Sequence, residues 1–351
     1  MADPAQSLLS CPMPLEHGDR VQLAHGGGGS RTARLIERVF VPAFRNDYLA
    51  ALADGAVLPL GPASLAFTTD SFVVRPHFFP GGDIGCLAVY GTANDLAMCG
   101  AEALYLSAGF ILEEGFPMPD LVRIVASMAE ACSRVGALLV TGDTKVVEHG
   151  KGDGVFINTS GIGRVRPGIV LSPASARPGD VVLVSGPVGD HGIAVMAARE
   201  GIELETELKS DCAPVGDLVG ALLAAAPDAR VLRDPTRGGL ATALVEIAGA
   251  SRVCIEAHEA EIPVRDEVRG ACELLGFDPL YVACEGRFLA IVPSRSADAA
   301  LEALRGRPEG REARRIGEVL DAEPGRVVLR TRIGSRRVLE KLSGEQLPRI
   351  C

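Results

Sequence analysis

Residues 84–112 read IGCLAVYGTANDLAMCGAEALYLSAGFIL, and the two halves of this stretch follow different periodicities. From Ile84 to Met98 small and apolar residues recur at helical spacing, whereas Ala103 to Leu112 is a β-type run. On the N-terminal side, Leu65 to Val74 is rich in β-branched and aromatic residues around Thr68-Thr69-Asp70 and reads as a strand. On the C-terminal side, Asp120 to Val135 reads as a helix, Ala137 to Thr141 as a buried strand and Val155 to Val165 as a further strand. Strands interleaved with helices place this half of the chain in the α/β class.

The strongest Pro/Gly punctuation follows, at Arg166-Pro167-Gly168 and from Ser172-Pro173 through Arg177-Pro178-Gly179, and a domain boundary belongs there. The alternation then resumes. Strands are expected at Val181 to Val184, Val253 to Ala257 and Phe288 to Val292. Helices are expected near His191 to Arg199, Val215 to Ala225, after Arg237-Gly238-Gly239, and over Val264 to Leu275 and Ala297 to Leu304. The organisation predicted is a flexible leader over 1–22, a first domain over 23–168, a second over 177–321, and a mobile tail over 322–351. At 351 residues two domains of ordinary size fit the length.

A hydrophobic content of 47% against 23% charged residues supports folded globular domains, and a net charge of −10 argues against a general nucleic-acid surface. There is no apolar run long enough to span a bilayer and no signal-peptide pattern. The nine cysteines are odd in number and never spaced as CxxC, so they read as reduced residues of a cytoplasmic protein. Cys351 differs from the rest because it ends the chain, where core packing is not its default explanation.

Several residues carry candidate chemistry. Gly26 to Gly29, after His25 and before a helix opening near Ser30, can bring backbone N–H groups to phosphate, or can be a flexible linker. Asp70, Asp83, Asp95 and Asp143 sit among small residues at expected element ends, in TTDS, GGDIG, ANDLA and TGDTK. Carboxylates so placed suit Mg2+, although Asp beside Gly is also ordinary turn chemistry. Lys145 can contact a phosphate or simply be solvated. Asp234-Pro-Thr-Arg237-Gly-Gly239 sets a guanidinium at a helix start, suited to phosphate or to capping. Glu285 is the lone acid in the largely apolar stretch Leu280 to Val292, whose only other charge is Arg287, and this suits a proton-abstracting group or a structural ion pair. No HExxH or GxSxG pattern supports a metalloprotease or serine hydrolase.

Together HGGGG, TTDS, GTANDLAMCGA, VTGDTKVV, SDCAP, DPTRGGLATAL, ACEG and a terminal PRIC resemble the hydrogenase maturation HypE family, the carbamoyl dehydratases that make cyanide ligands for nickel-iron hydrogenases. The likeness implies a two-domain aminoimidazole ribonucleotide synthetase (PurM)-like α/β fold with mixed sheets flanked by helices, usually homodimeric. It also implies ATP bound with Mg2+. On these positions it implies that Asp70, Asp95 and Asp143 hold the metal, that His25, Gly26, Gly28, Gly29, Asp83, Asn94, Asp211 and Arg237 surround the nucleotide, and that Cys351, Glu285 and Lys145 do the chemistry. A carbamoyltransferase partner (HypF) would load Cys351, and a HypC–HypD scaffold would receive the cyanide. Gly27 replaces the small polar residue of the usual HGSGG. The alternatives are an ATP-binding scaffold and selenophosphate synthetase, whose reactive Cys beside a Lys has no counterpart around Cys11 or the glycine loop.

Overall fold

The computed structural model describes residues 29–41, 48, 52–60, 63–201, 208–342 and 349–351. The expected leader over 1–22, and His25, Gly26 and Gly28 at the start of the expected first domain, lie outside them. A short helix α1 (Ser30–Leu35) runs on into a π-turn over Ile36–Phe40; Gly29 caps it in place of Ser30, whose own N–H donates to the Leu342 carbonyl at 2.9 Å. Then come β1 (Ala56–Leu60), β2 (Ala63–Phe72), a small hairpin of β3 (Phe78–Phe79) and β4 (Gly82–Asp83), α2 (Ile84–Met98), β5 (Ala101–Glu113), α3 (Met118–Val135), β6 (Leu138–Val147) and β7 (Val155–Val165). The five long strands form one sheet in the order β1-β2-β7-β5-β6, antiparallel except for the β5–β6 pair, which α3 bridges as a crossover helix.

The second domain contains β8 (Asp180–Val184), α4 (Asp190–Glu200), α5 (Gly216–Ala225), β9 (Val231–Arg233), α6 (Gly239–Ser251), β10 (Cys254–His258), α7 (Asp266–Leu275), β11 (Leu289–Pro293), α8 (Ser294–Arg305), β12 (Arg314–Leu320), β13 (Val327–Arg330) and β14 (Arg336–Leu339). Its seven strands run in the order β14-β13-β10-β12-β8-β11-β9. Every residue of β8 and β11 is buried, because DVVLV and LAIVP lie between two apolar layers, one built on α6 and the other on α5 and α8. The last two strands correct the expected tail: 327–330 and 336–339 belong to the sheet, with β13 parallel to β10 and β14 antiparallel to β13.

The first sheet has one covered face. On it lie α2, buried nearly all round, and α3, which turns Ile124, Met128, Ala131 and Cys132 inward. The opposite face is open. Phe67 pairs in register with Ile162, Ile162 with Tyr105, and Tyr105 with Leu138, so these four form one apolar row across the sheet, each between 37% and 65% exposed. The strand expected at Ala137 to Thr141 therefore exists as β6 but is exposed along almost its whole length. Among the described residues nothing covers its apolar run. Among the described residues no helix is long and apolar enough to cross a membrane.

α2 joins the domains. Its end residues Ala97 and Met98 enter the apolar layer of the second sheet, and the Asn94 side chain spans the gap. Asn94 Nδ2 donates to the carbonyls of Ala213 (3.1 Å) and Glu285 (3.2 Å), and its Oδ1 accepts from Val215 N–H (2.9 Å). Truncating this amide strands three backbone groups of the second domain. Asn94→Ala should therefore cost roughly 1–3 kcal/mol in urea unfolding monitored across both domains, and a loss below about 0.5 kcal/mol would mean that the amide is not a structural bolt.

Candidate active site

The second domain delivers its functional groups on turns. Asp234 and Arg237 lie between β9 and α6, where Gly238 (φ 82°) and Gly239 (φ 61°) are left-handed; a side chain on Gly239 would meet the Leu280 carbonyl at 2.6 Å. Glu285 follows the short 3-10 turn Pro279–Tyr281, and its backbone is set by Asp211, whose carboxylate accepts from the N–H groups of Glu285 (3.1 Å) and Gly286 (3.4 Å). Any Cβ at Gly286 would lie 1.8 Å from the Asp211 carbonyl, so only glycine fits. Asp211 thus positions the loop, and Arg287 stands 3.7 Å from it.

From the first domain come Asp54 just before β1, Asp70 on β2 and Asp95 on α2. Asp54, Asp95 and Asp234 each offer a carboxylate oxygen, and these oxygens all lie within 4.8 Å of one another. Thr68 Oγ1 lies 2.8 Å from Asp95 Oδ2 and 2.8 Å from the Asp54 carbonyl. Arg233 pairs with Asp54 at 2.8 Å and Glu246 at 2.7 Å, while the exposed Arg237 stands 3.9 Å from Asp70. Burial above all, then mutual repulsion, pushes the acids up: Asp54 to about 6 despite Arg233, and Asp234 to about 8. Burial, then Asp234, raises Asp95, and burial raises Asp70 against the pull of Arg237. Three converging hard oxygen donors suit Mg2+, and a cation there would hold all three ionised.

Glu285 is buried, and its Oε1 has no hydrogen-bond partner among the described residues. Burial, then the charges of Asp234 and Asp70, raises it well above the ordinary carboxyl range. Beside it lies the end of the chain. Val73 N–H donates to a Cys351 terminal oxygen (3.1 Å) and Arg75 N–H to the Arg349 carbonyl (3.2 Å), so the last three residues pair antiparallel with the segment after β2. Arg199 Nη2 donates to the Arg349 carbonyl at 2.5 Å, and Arg349 pairs with Asp153. His191 Nε2 meets the Ile350 carbonyl at 2.8 Å and its Nδ1 meets Ser210 Oγ at 2.7 Å. A carbonyl only accepts, so Nε2 carries the proton and Nδ1 accepts from the Ser210 hydroxyl. Burial holds this imidazole below its ordinary pKa, which keeps it neutral. The half-buried Cys351 thiol is pushed up to about 12 by burial, opposed by Arg237 and reinforced by Glu285, Asp70 and Asp234. Those groups lie close enough to act on the charge of the sulfur.

Several expected roles move. Of the four aspartates expected at element ends, only Asp83 occupies one; it caps α2, with its Oδ1 accepting from Gly85 N–H (2.8 Å) and Cys86 N–H (3.0 Å). Asp143 does not join Asp70 and Asp95. Asp70 pairs in register with the buried Thr159 on the helix-covered face, whereas Asp143 pairs with Gly109, and Gly109 with Asn158, on the open face. There Asp143 is exposed and ion-paired with Lys145 at 2.8 Å, so Lys145 does not orient Glu285 within one chain. Asn94 is a structural bolt. Sequence reasoning missed Asp54, a lone Asp beside Gly like many others, and left Asp234 without a metal role. It also passed over His191 and Arg199, which have no motif.

Models of the AIR synthase related protein family match residues 52–165 (N-terminal domain) and 177–330 (C-terminal domain). The carbamoyl dehydratase HypE of Cupriavidus necator is 56% identical over 342 residues, 97% of each chain. The Escherichia coli K12 protein of the same name is 46% identical, covering 95% of this chain and all of that one. The chain belongs to the HypE family. Among solved structures, a HypE–HypF complex superposes with a TM-score of 0.84 at 48% identity, covering 88% of this chain and 99% of that one. HypE in complex with ATP gives 0.80 at 49%, covering 95% and 100%. A thiamine monophosphate kinase at 19% identity and TM-score 0.63 shares the fold alone.

A raised carboxyl binds more protons folded than unfolded, so its contribution is present below the unfolded value of 3.8 and lost as pH climbs toward about 8 for Asp234. Without divalent metal, the melting temperature should fall between pH 5 and 8, less steeply in Asp234→Asn. Adding MgCl2 at pH 8 should restore it in the unsubstituted chain only. A metal response surviving Asp234→Asn would displace the ligand assignment.

Proposed function

We propose that this HypE-family chain is an ATP-dependent carbamoyl dehydratase that converts an S-carbamoyl group on its own Cys351 into a thiocyanate, a source of cyanide ligands for nickel-iron hydrogenase. The observation that carries this reading is the terminal thiol seated among Glu285, Arg237, Asp70 and Asp234, beside the Asp54–Asp95–Asp234 cluster. A carrier and a nucleotide site then share one cleft.

A HypF-type carbamoyltransferase loads the sulfur. The carbamoyl oxygen attacks the γ-phosphorus of ATP and ADP departs; phosphate then leaves with that oxygen as the C≡N bond forms. Both N–H protons are lost along the way. In its ionised form Glu285 takes them one at a time, passing the first on before the second, since the carboxylate of an acid with an elevated pKa is a stronger base. Arg237 at the mouth offsets charge on the transferred group, and Mg2+ held by Asp54, Asp95 and Asp234, with Asp70 close by, would neutralise the phosphates. The glycine loop with His25 would close over the triphosphate. A HypC–HypD scaffold takes the cyanide, and the work is cytoplasmic.

The open apolar row Phe67–Ile162–Tyr105–Leu138 supports a homodimer in which two copies cover each other's sheets, with Asp143 and Lys145 on the covered face. Any part they take in the reaction is across that interface. Val140→Asp, on the same exposed strand, should shift sedimentation toward monomer without unfolding the chain; an unchanged dimer would move the interface elsewhere.

With a carbamoyl donor and ATP, mass spectrometry of the C-terminal peptide should show carbamoylation and then loss of one water. Cys351→Ala should take up nothing. Glu285→Gln should load normally and form thiocyanate about 10²-fold or more slowly. Thiocyanate at the normal rate in Glu285→Gln would remove Glu285 as the base, and modification of another cysteine would remove the carrier role of Cys351.

A further inference from the structure

The eight cysteines among the described residues are all free, and two of them face each other across the domain boundary: Cys86 Sγ and Cys212 Sγ are 4.0 Å apart. A disulfide needs about 2.05 Å, so each sulfur has only about 1 Å to travel. Cys86 lies in the first turn of α2, where Asp83 N–H points at its sulfur from 3.3 Å. It is half-buried and reachable. Cys212 is buried on the segment between α4 and α5, which belongs to the second domain.

The two thiols are chemically unequal. The Cys212 sulfhydryl, hydrogen-bonded to Cys86, holds Cys86 below the usual thiol range, with further help from Asp83 N–H and Ser127. The same contact, together with burial, pushes Cys212 far above it. An accessible thiolate backed by a buried proton-bearing partner is the arrangement of an attacking and a resolving cysteine.

We propose that Cys86 and Cys212 form a thiol–disulfide site that a small-molecule disulfide of the glutathione type oxidises, joining the two domains covalently beside the docked tail. The Cys86 thiolate attacks one sulfur of the small disulfide, whose S–S bond breaks with its electron pair leaving on the departing thiolate. Cys212 loses its proton to that thiolate and attacks Cys86, expelling the second. Two protein thiols are oxidised and one disulfide is reduced to two thiols, with nothing else required.

The link reaches the tail through a short chain of contacts. Cys212 N–H donates to Ser210 Oγ at 3.0 Å, Ser210 holds His191, and His191 holds the Ile350 carbonyl. Closing the disulfide fixes Cys212 against α2 and stiffens this chain, so the oxidised protein keeps Cys351 docked. The disulfide does not depend on the chemistry proposed for Cys351; only the meaning of that retention does.

Titrating the full chain with oxidised glutathione, followed by non-reducing peptide mapping, tests the site. The Cys86–Cys212 linked peptide should appear before adducts at other cysteines. Cys212→Ser should stop at a glutathione adduct on Cys86, and Cys86→Ser should form neither. A stable adduct on Cys86 in the unsubstituted chain, or a first linkage through Cys351, overturns the site. Iodoacetamide should then alkylate Cys351 several-fold more slowly in the oxidised chain than in the reduced one, and equal rates overturn the coupling to the tail.

Discussion

Asn94 is one residue from Asp95, and that adjacency sets the geometry of the cleft. The amide on α2 grips the carbonyls of Ala213 and Glu285 and the N–H of Val215, while the next carboxylate joins those of Asp54 and Asp234. A helix inside one domain thereby fixes the loop carrying the candidate base of the other. Rotating or sliding α2 would separate Glu285 from Asp95 and break three buried hydrogen bonds at once. The arrangement resists relative domain motion because a buried amide without partners is costly. Asp211 completes the lock from the other side by accepting from the N–H groups of Glu285 and Gly286.

Within that frame the charges are out of balance. Asp54, Asp70, Asp95, Asp234 and Glu285 share a cleft with Arg233 and Arg237, and Arg233 is divided between Asp54 and Glu246. The acids respond by holding protons, which is why Asp234 rises to about 8 while the exposed Asp143, beside Lys145, sits below its ordinary value. Asp70 and Asp143, on the two faces of one sheet, shift in opposite directions. A cleft of partly protonated acids has unmet demand for positive charge, and a divalent cation supplies it more compactly than another arginine could.

Much of this was legible locally. Helix 84–98 and strand 155–165 matched the structure to the residue, because α2's small and apolar positions and the alternation in VFINTSGIGRV are strong periodic signals. Glu285 stood out as the one acid in a largely apolar run. What local pattern could not supply is the register between strands. TTDS and TGDTK look alike, yet Asp70 is paired to buried Thr159 and Asp143 to Gly109 on the open face, and a side-chain period of two makes that difference invisible within either strand. The short strands β13 and β14, hidden among the charges after residue 322, gave too weak an alternation to separate from a tail. His191 and Arg199 acquire their meaning only when the chain end arrives beside them.

The docked terminus has a consequence for the order of events. In the cleft the Cys351 thiol is pushed up to about 12, so almost none of it is thiolate there, and a thiol attacks an acyl donor as the thiolate. Under the carrier role proposed for Cys351, loading therefore belongs to an undocked tail. Once carbamoylated, the sulfur has no proton to lose and no charge to bury, so the penalty that the acids impose on a thiolate vanishes. The backbone contacts from Val73, Arg75, Arg199 and His191 are made to carbonyl and terminal oxygens and are indifferent to what the sulfur carries. A cleft that repels the thiolate while holding the backbone of the last three residues fits the proposed carrier: it would accept the neutral, loaded arm and leave nucleophilic attack to the exposed one.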